Sequence, residues 1–412
     1  MREVEVGMSH TANRNGGRPD GAVLLTGATG FVGMEILARF LERTDRTVIA
    51  PVRARDEAEA TERLRGTVAC LFGDEDAFAD RLRALPADIE QPGLGLDEAT
   101  REQVAEQVTD IVHAAASVSF TLPLDRSREI NVEGTRRVLE LADLCRRRGG
   151  LEHFSYISTA YVAGTHKGRF GEDQLDVGQR FRNPYEQSKF EAERLVRAAD
   201  GRLPIQIFRP SIVVGEHTTG WTPAFNVLYS PLKAFVRGSL PALPARRSAP
   251  VDVVPVDYVA DAVFELASER MDGTKTYHLV AGRRATSVGR LIELSAAAVG
   301  QREPVVLPPG LFRRIMYPVL VRTSDRMRQG LERTKVFFPY FAMEVSYDNP
   351  QARSRLEPAG IEVPPIESYF GQLIEYANRA RWGRAPVSRA EAHRLRRGGE
   401  VQTRAPLVPS RS

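Results

Sequence analysis

The segment TGATGFVG, residues 26–33, constrains this chain more than any other, because it directly follows the apolar run AVLLT and opens the amphipathic stretch Phe31 to Arg43. Glycines at Gly27, Gly30 and Gly33 let the chain turn tightly, bring its backbone close to an anion and allow the next helix to pack on the strand. The first N–H groups of that helix then point at the anion. Gly27, Thr29, Gly30, Phe31, Val32 and Gly33 are therefore the candidate residues of a dinucleotide-binding loop.

The chain beyond this loop keeps the same alternation. Apolar runs of strand length recur at 47–52 (TVIAPV), 84–89 (ALPADI), 110–116 (DIVHAAA), 153–158 (HFSYIS) and 204–210 (PIQIFRP), separated by helical patterns such as Ile130 to Arg147. Short apolar runs alternating with helices predict parallel strands with right-handed crossovers, that is, a doubly wound parallel sheet of the α/β class. After residue 215 the regularity fades into Gly- and Pro-rich loops, with helices expected near 257–268 and 287–299 and a strand at 276–280. Such additions beyond the strand ends build substrate pockets.

The expected organisation is a flexible arm at 1–20, a nucleotide-binding domain at 21–300 with substrate elements after 215, a smaller helix-rich C-terminal substrate region at 301–384, and a disordered Arg-rich tail at 385–412. Within the third part, Leu311, Phe312, Ile315, Met316, Val319 and Leu320 form an apolar face, followed by Phe337, Phe338, Tyr340 and Phe341. Seven cations, among them Arg313, Arg314, Arg322, Arg326 and Arg333, accompany them. These charges suit a solvated helix face, a phosphate or an acidic carrier, and leave peripheral membrane contact open. The last helix carries Ile366, Tyr369, Phe370, Leu373, Ile374 and Ala377 at helical spacing and ends near Trp382.

Composition excludes several classes. Apolar residues at 42% and charged residues at 27% are globular values, and a net charge of +4 is too small for a nucleic-acid-binding protein. Cys70 and Cys145 lack metal or redox spacing, and the seven histidines form no ligand pair, so no metal is expected. No apolar stretch of signal-peptide length opens the chain, so a cytoplasmic location is expected. The stretch 21–38 carries a single charge, Glu35, yet its glycines fall at turn spacing, which suits a strand-turn-helix better than a membrane span.

Two further positions bear on a dinucleotide. Arg53 stands just past the second strand, where an acid would bind a ribose 2′-hydroxyl and a guanidinium suits a 2′-phosphate; a solvated surface arginine is the alternative. Asp88 and Ile89 end the third run, where an adenine would lie. Chemistry is offered by Tyr185 and Lys189, one turn apart on a helix opening at Asn183-Pro184. An ammonium beside a phenol is expected to lower its pKa from about 10 and so ready it for proton transfer. Thr159, at the tip of HFSYIS, offers a hydroxyl to a substrate oxygen or simply caps its strand.

With these residues in hand, the chain resembles the extended short-chain dehydrogenase/reductases, and within them the acyl-thioester reductases: fatty acyl-CoA reductases and the terminal reductase domains of carboxylic acid reductases and nonribosomal peptide synthetases. The resemblance rests on TGATGFVG, ADIEQPGLGL, IVHAAASVSF, NVEGTRRVLELA, YISTAYVAG, NPYEQSKFEAERLV, FRPSIVVGE and VPVDYVADAV, in that order. It implies a Rossmann fold, NADPH as cofactor, an acyl thioester on CoA or a carrier protein as substrate, and an aldehyde or alcohol as product. It also implies Thr159, Tyr185 and Lys189 as the catalytic trio with Asn131 supporting the lysine. His113, Ala114 and Ala115 would border the cofactor, and Arg209, Pro210 and Ser211 would lie under its nicotinamide, although a lone histidine at a strand end is otherwise more often a packed core residue. An alcohol dehydrogenase or a nucleotide-sugar or steroid-type enzyme using the same trio is the main alternative. An idle NADP-sensing scaffold fits an intact trio poorly.

Overall fold

The computed structural model describes residues 21–399 apart from 226, 270–272, 324–327, 330, 331 and 333. The arm at 1–20, the last part of the expected tail at 400–412, and Arg326 and Arg333 lie outside the described residues. Seven strands form one parallel sheet: β1 (Ala22–Thr26), β2 (Val48–Val52), β3 (Leu82–Pro86), β4 (Val108–His113), β5 (His153–Ile157), β6 (Ile205–Pro210) and β7 (Lys275–Leu279). Their order is β7-β6-β5-β4-β1-β2-β3. In register, Leu24 of β1 lies between Ile49 of β2 and Ile111 of β4. The strands read as near-continuous apolar runs because helices cover both faces, and all five residues of β1 are buried.

The strand order reverses between β1 and β4, so the crevice for a ligand opens at their carboxyl ends. Two of the expected runs are displaced. The run at 84–89 becomes β3 at Leu82–Pro86, because the Asp88 carboxylate accepts from the Glu90 N–H at 2.9 Å and turns the chain out of the sheet. The run at 110–116 starts at Val108 and stops at His113, and Ala114 and Ala115 leave the strand with their N–H groups on Thr26, beside Gly27.

The region after residue 301 is woven into what precedes it. Val305–Leu307 pairs with Ala242–Pro244, and Val345–Tyr347 pairs with Gly168–Phe170. The buried Glu172 carboxylate fastens the same region by accepting from the N–H groups of His278 (2.9 Å), Gln351 (2.7 Å) and Ala352 (3.0 Å). The apolar face expected at 311–320 splits: Phe312 and Leu320 are buried, whereas Leu311, Ile315 and Val319 are 43%, 54% and 55% exposed. A π turn at Phe312–Met316 shifts the helical phase between the two sets. The helix Ile366–Arg379 buries the residues expected of it.

The expectation of a disordered tail from 385 is overturned as far as residue 399. The helix Arg389–Gly399 folds back onto the sheet's covering helices. Its lead-in is pinned by the Val387 carbonyl, which accepts from Trp221 Nε1 (2.9 Å) and the Tyr376 hydroxyl (3.0 Å). Arg389 reaches Glu35 at 3.1 Å, Glu42 at 3.3 Å and Glu216 at 3.3 Å, and His393 adds a second contact to Glu216. Glu35, the lone charge of the first apolar stretch, is fully buried and also bound by Arg39 at 2.8 Å. A basic tail reads as solvated in the sequence, but Arg389 pairs with the buried carboxylates of Glu35, on the helix Phe31–Arg43, and Glu216. Among the described residues no helix is long and apolar enough to cross a membrane. Arg389→Ala takes one cation from both Glu35 and Glu216, leaving Arg39 and His393 to hold them, and should lower unfolding free energy by about 3 kcal/mol, read from urea titration.

Candidate active site

The glycine loop brings the backbone close around the start of the first helix. Gly27 has φ of +75°, and a Cβ there would come within 2.7 Å of the Ala115 nitrogen. A Cβ on Gly33 would come within 2.0 Å of the Gly27 carbonyl oxygen. The helix Phe31–Arg43 starts at Gly30 with no side-chain cap and no acidic residue in its first turn, so its N–H groups remain available to a phosphate. Thr29, Phe31 and Val32 are half-buried around this opening, and Gly30 is exposed.

His113 secures the facing wall. Its Nδ1 meets Thr26 Oγ1 at 2.7 Å and its Nε2 meets Thr135 Oγ1 at 3.1 Å, while Thr26 Oγ1 also accepts from the Ala115 N–H at 3.2 Å. Burial, with Lys189 nearby, pushes His113 down to about 3, so it is neutral. Both ring nitrogens are engaged with protein, and what the residue does for the crevice is to hold Ala114 and Ala115 against Gly27.

At the far end, Arg53 is 69% exposed and donates to Glu90 at 3.3 Å. Arg126 binds the same carboxylate, so two guanidiniums converge where β2 ends; Arg55 turns away to Glu59. Ile89 packs on Gly134, where a Cβ would meet Ile89 Cδ1 at 3.0 Å, and its carbonyl accepts from Arg137 at 2.9 Å. Arg126 and Glu90 were not legible as site residues, since they lie 73 and 37 positions from Arg53.

Tyr185 and Lys189 lie on the helix Pro184–Arg197, whose Asn183 cap accepts from the Glu186 N–H at 3.0 Å and whose first residue is proline. Lys189 is buried, donates to the Ile157 carbonyl at 2.8 Å and lies 4.3 Å from the Tyr156 ring centre. Burial pushes it down to about 7, against the pull of Glu193. Tyr185 moves opposite to expectation: burial raises it to about 12, Thr159 opposes the shift through a hydrogen bond, and Glu186 adds to it. Desolvation of the phenol outweighs any help from the ammonium, so Tyr185 carries its proton at neutral pH.

Thr159 faces Tyr185 from the end of β5, where it caps a short turn by accepting from the Tyr161 N–H at 3.2 Å, and its hydroxyl lies 3.4 Å from the Pro210 carbonyl. Asn131 sits in a π turn and joins the 117 loop to the Tyr185 helix, donating to the Ser117 carbonyl at 3.0 Å and to Ser188 Oγ at 2.9 Å. Pro210 and Ser211 are buried at the end of β6. Arg209 is turned into the core instead of the crevice, holding Glu193 at 2.6 Å and the Gln174 carbonyl at 2.7 Å. A charge inside an apolar strand was the available signal for that buried pair.

An apolar cavity of about 90 Å³ adjoins this group. Tyr161 and Tyr340 form its wall on the Tyr185 side, and Leu232, Leu243, Ile292 and Phe341 line its depth. Phe120, in the loop after β4, stacks on Tyr185 at 5.5 Å and on Tyr340 at 5.4 Å between ring centres.

A fold with this strand order, glycine loop and Tyr-Lys helix defines a nicotinamide-dinucleotide-dependent oxidoreductase of the extended short-chain dehydrogenase/reductase type. Residues 25–263 match the family described as Male sterility protein, and the chain belongs to it. It is 36% identical over 266 residues to an isonitrile lipopeptide synthase of Streptomyces coeruleorubidus, a match covering 64% of this chain and 18% of that protein. It is 33% identical over 290 residues to a carboxylic acid reductase of Mycobacterium marinum, covering 63% of this chain and 24% of the relative. The terminal R domain from the myxalamid PKS-NRPS biosynthetic pathway superposes with a TM-score of 0.76 at 28% identity, over 89% of this chain and 92% of that one. The chain thus spans a quarter or less of those two curated relatives and most of the R domain. Gly27→Ala combines a strained φ with a backbone clash and should weaken NADPH binding more than about tenfold, measured by cofactor fluorescence, with circular dichroism unchanged.

Proposed function

We propose that this chain reduces an acyl thioester, on a carrier protein or on CoA, to an aldehyde and a free thiol, with NADPH as reductant. The observation that carries the reading is the apolar cavity that shares Tyr161 and Tyr340 with the surroundings of Tyr185. A slot lined by leucine, isoleucine and phenylalanine suits an acyl chain, each buried methylene contributing about 0.8 kcal/mol. A sugar nucleotide would need polar groups along its length, and those at this cavity are confined to Asp252, Ser295 and tyrosine hydroxyls. The relatives named as a carboxylic acid reductase and a lipopeptide synthase support the same substrate class.

Bound NADPH supplies the hydride that makes the thioester carbonyl carbon tetrahedral. Thr159 and Tyr185 donate hydrogen bonds to the oxygen on which negative charge develops, and Tyr185, protonated at neutral pH, delivers its proton there. Cleavage of the C–S bond then leaves an aldehyde, and the sulfur departs as a thiol after taking up the hydroxyl proton. A second hydride would give the alcohol. Lys189 would hold the cofactor ribose, with Asn131 keeping its helix in place. Gly27, Gly30, Gly33 and the N–H groups they expose would receive the pyrophosphate, and Asp88 and Ile89 would flank the adenine. Arg53, joined by Arg126, would take the 2′-phosphate. The exposed Arg313, Arg314 and Arg322 beside Leu311 and Ile315 offer an acidic carrier a complementary surface. Two unpaired cysteines support a reducing, cytoplasmic setting.

Incubation with NADPH and a medium- or long-chain acyl thioester should release thiol and aldehyde, detected by a disulfide dye and a hydrazine; oxidation of NADPH by ketones alone, with no thiol from any thioester, would overturn the reading. Tyr185→Phe should cut turnover by about 10²-fold or more while leaving NADPH affinity intact. Arg53→Asp should weaken NADPH relative to NADH by on the order of 1.5 to 3 kcal/mol, about ten- to a hundredfold in their affinity ratio.

A further inference from the structure

Tyr340 belongs to two structures at once. Its ring forms part of the cavity wall, edge-on to Tyr161 at 5.1 Å, and its hydroxyl is clamped to the start of the Tyr185 helix. Glu186 Oε1 accepts from that hydroxyl at 2.6 Å, and Asn183 Nδ2 donates to it at 2.6 Å. These two residues lie within two positions of Tyr185, one as the helix cap and one as its next residue. Phe120 closes the arrangement, stacking on Tyr340 at 5.4 Å and 24° and on Tyr185 at 5.5 Å and 25°.

We infer that Tyr340 is a positioning residue for Tyr185, acting through Glu186, Asn183 and Phe120, so that the acyl cavity and the proton donor move as one unit. This deepens the thioester-reductase reading and rests on it for the identity of the cavity's occupant. Glu186 is fully buried, and a carboxylate there must be satisfied by donors. Tyr340 supplies one, and Arg182 supplies the others through its N–H at 2.8 Å and its guanidinium at 3.4 Å. The Arg182 guanidinium also lies over the Tyr340 ring, 5.7 Å from its centre, and adds a cation–π contact to the same group.

Removing the Tyr340 hydroxyl while keeping the ring therefore leaves a buried carboxylate short of a donor within one residue of Tyr185. The first turn of the helix must shift to compensate. Proton donation depends on the phenol's position to within a fraction of an ångström, whereas cavity shape and the cofactor loop are left as they were. The consequence falls on the chemical step and spares binding.

The test compares wild type, Tyr340→Phe, Glu186→Gln and the double variant, following thiol release and NADPH oxidation, with NADPH affinity and melting temperature measured on each. Tyr340→Phe should lower kcat about tenfold with KM and NADPH affinity within about twofold, Glu186→Gln should do the same, and the double variant should be no slower than the slower single, because both remove one linkage. Phe120→Leu, which deletes the intervening ring, should reproduce the loss in kcat and serves in place of Glu186→Gln if that variant fails to fold. An unchanged kcat in Tyr340→Phe, or losses that multiply in the double variant, would overturn the inference. Wild-type protein that releases no thiol would instead overturn the thioester reading, and the same variants are then compared on an aldehyde, whose reduction needs the same proton from Tyr185.

Discussion

The buried pair of Glu193 and Arg209 sets the position on which the site depends. Both side chains are fully excluded from solvent, and the carboxylate also accepts from Ser158 Oγ at 2.6 Å and from Arg197 at 3.0 Å. Tyr185, Lys189 and Glu193 recur at every fourth position of one helix, so fastening Glu193 to β6 and to the end of β5 fixes the other two over the crevice. Against the cost of burying Glu193, Arg209 and Ser158 hold its carboxyl below the usual carboxylate range. An ion pair this deep costs desolvation and is weak evidence of stability, but breaking one partner is strongly destabilising. Its value here is geometric: it sets the depth to which Lys189 reaches the Ile157 carbonyl.

Fixed polar contacts of the same kind run around the crevice. His113 with Thr26 and Thr135, and Thr159 with the Tyr161 N–H, tie strand ends to their neighbours, and Asn131 ties the 117 loop to the Tyr185 helix through Ser117 and Ser188. Contacts satisfied within the protein in this way hold the chain around the crevice in one arrangement. Tyr185 stands beside them with its proton kept in place by burial, as the proposed role of proton donor requires.

Much of this was legible in the sequence because it is local. A strand, a glycine turn and a helix lie within 22 residues at the start, from Ala22 to Arg43, and the Tyr-Lys spacing is a property of one helix. Contacts that join distant segments escaped. Tyr340 meets Glu186 across 154 positions, and Arg389 meets Glu216 across 173. In the sequence the first is one aromatic in a cluster and the second one arginine in a basic tail. The direction of the Tyr185 shift escaped for a related reason, since spacing reports the neighbouring ammonium but not the rings that exclude water.

Whether hydride reaches a thioester carbonyl at this crevice is read most directly with an isotope: NADPH carrying deuterium at the transferable C4 position, incubated with wild-type chain and a long-chain acyl thioester, followed by mass spectrometry of the aldehyde. One deuterium is expected on the aldehyde carbon, matched by an equivalent of free thiol, with loss of both in Tyr185→Phe. Unlabelled aldehyde, or labelled alcohol formed from a ketone while every thioester stays intact, would contradict hydride transfer to a thioester.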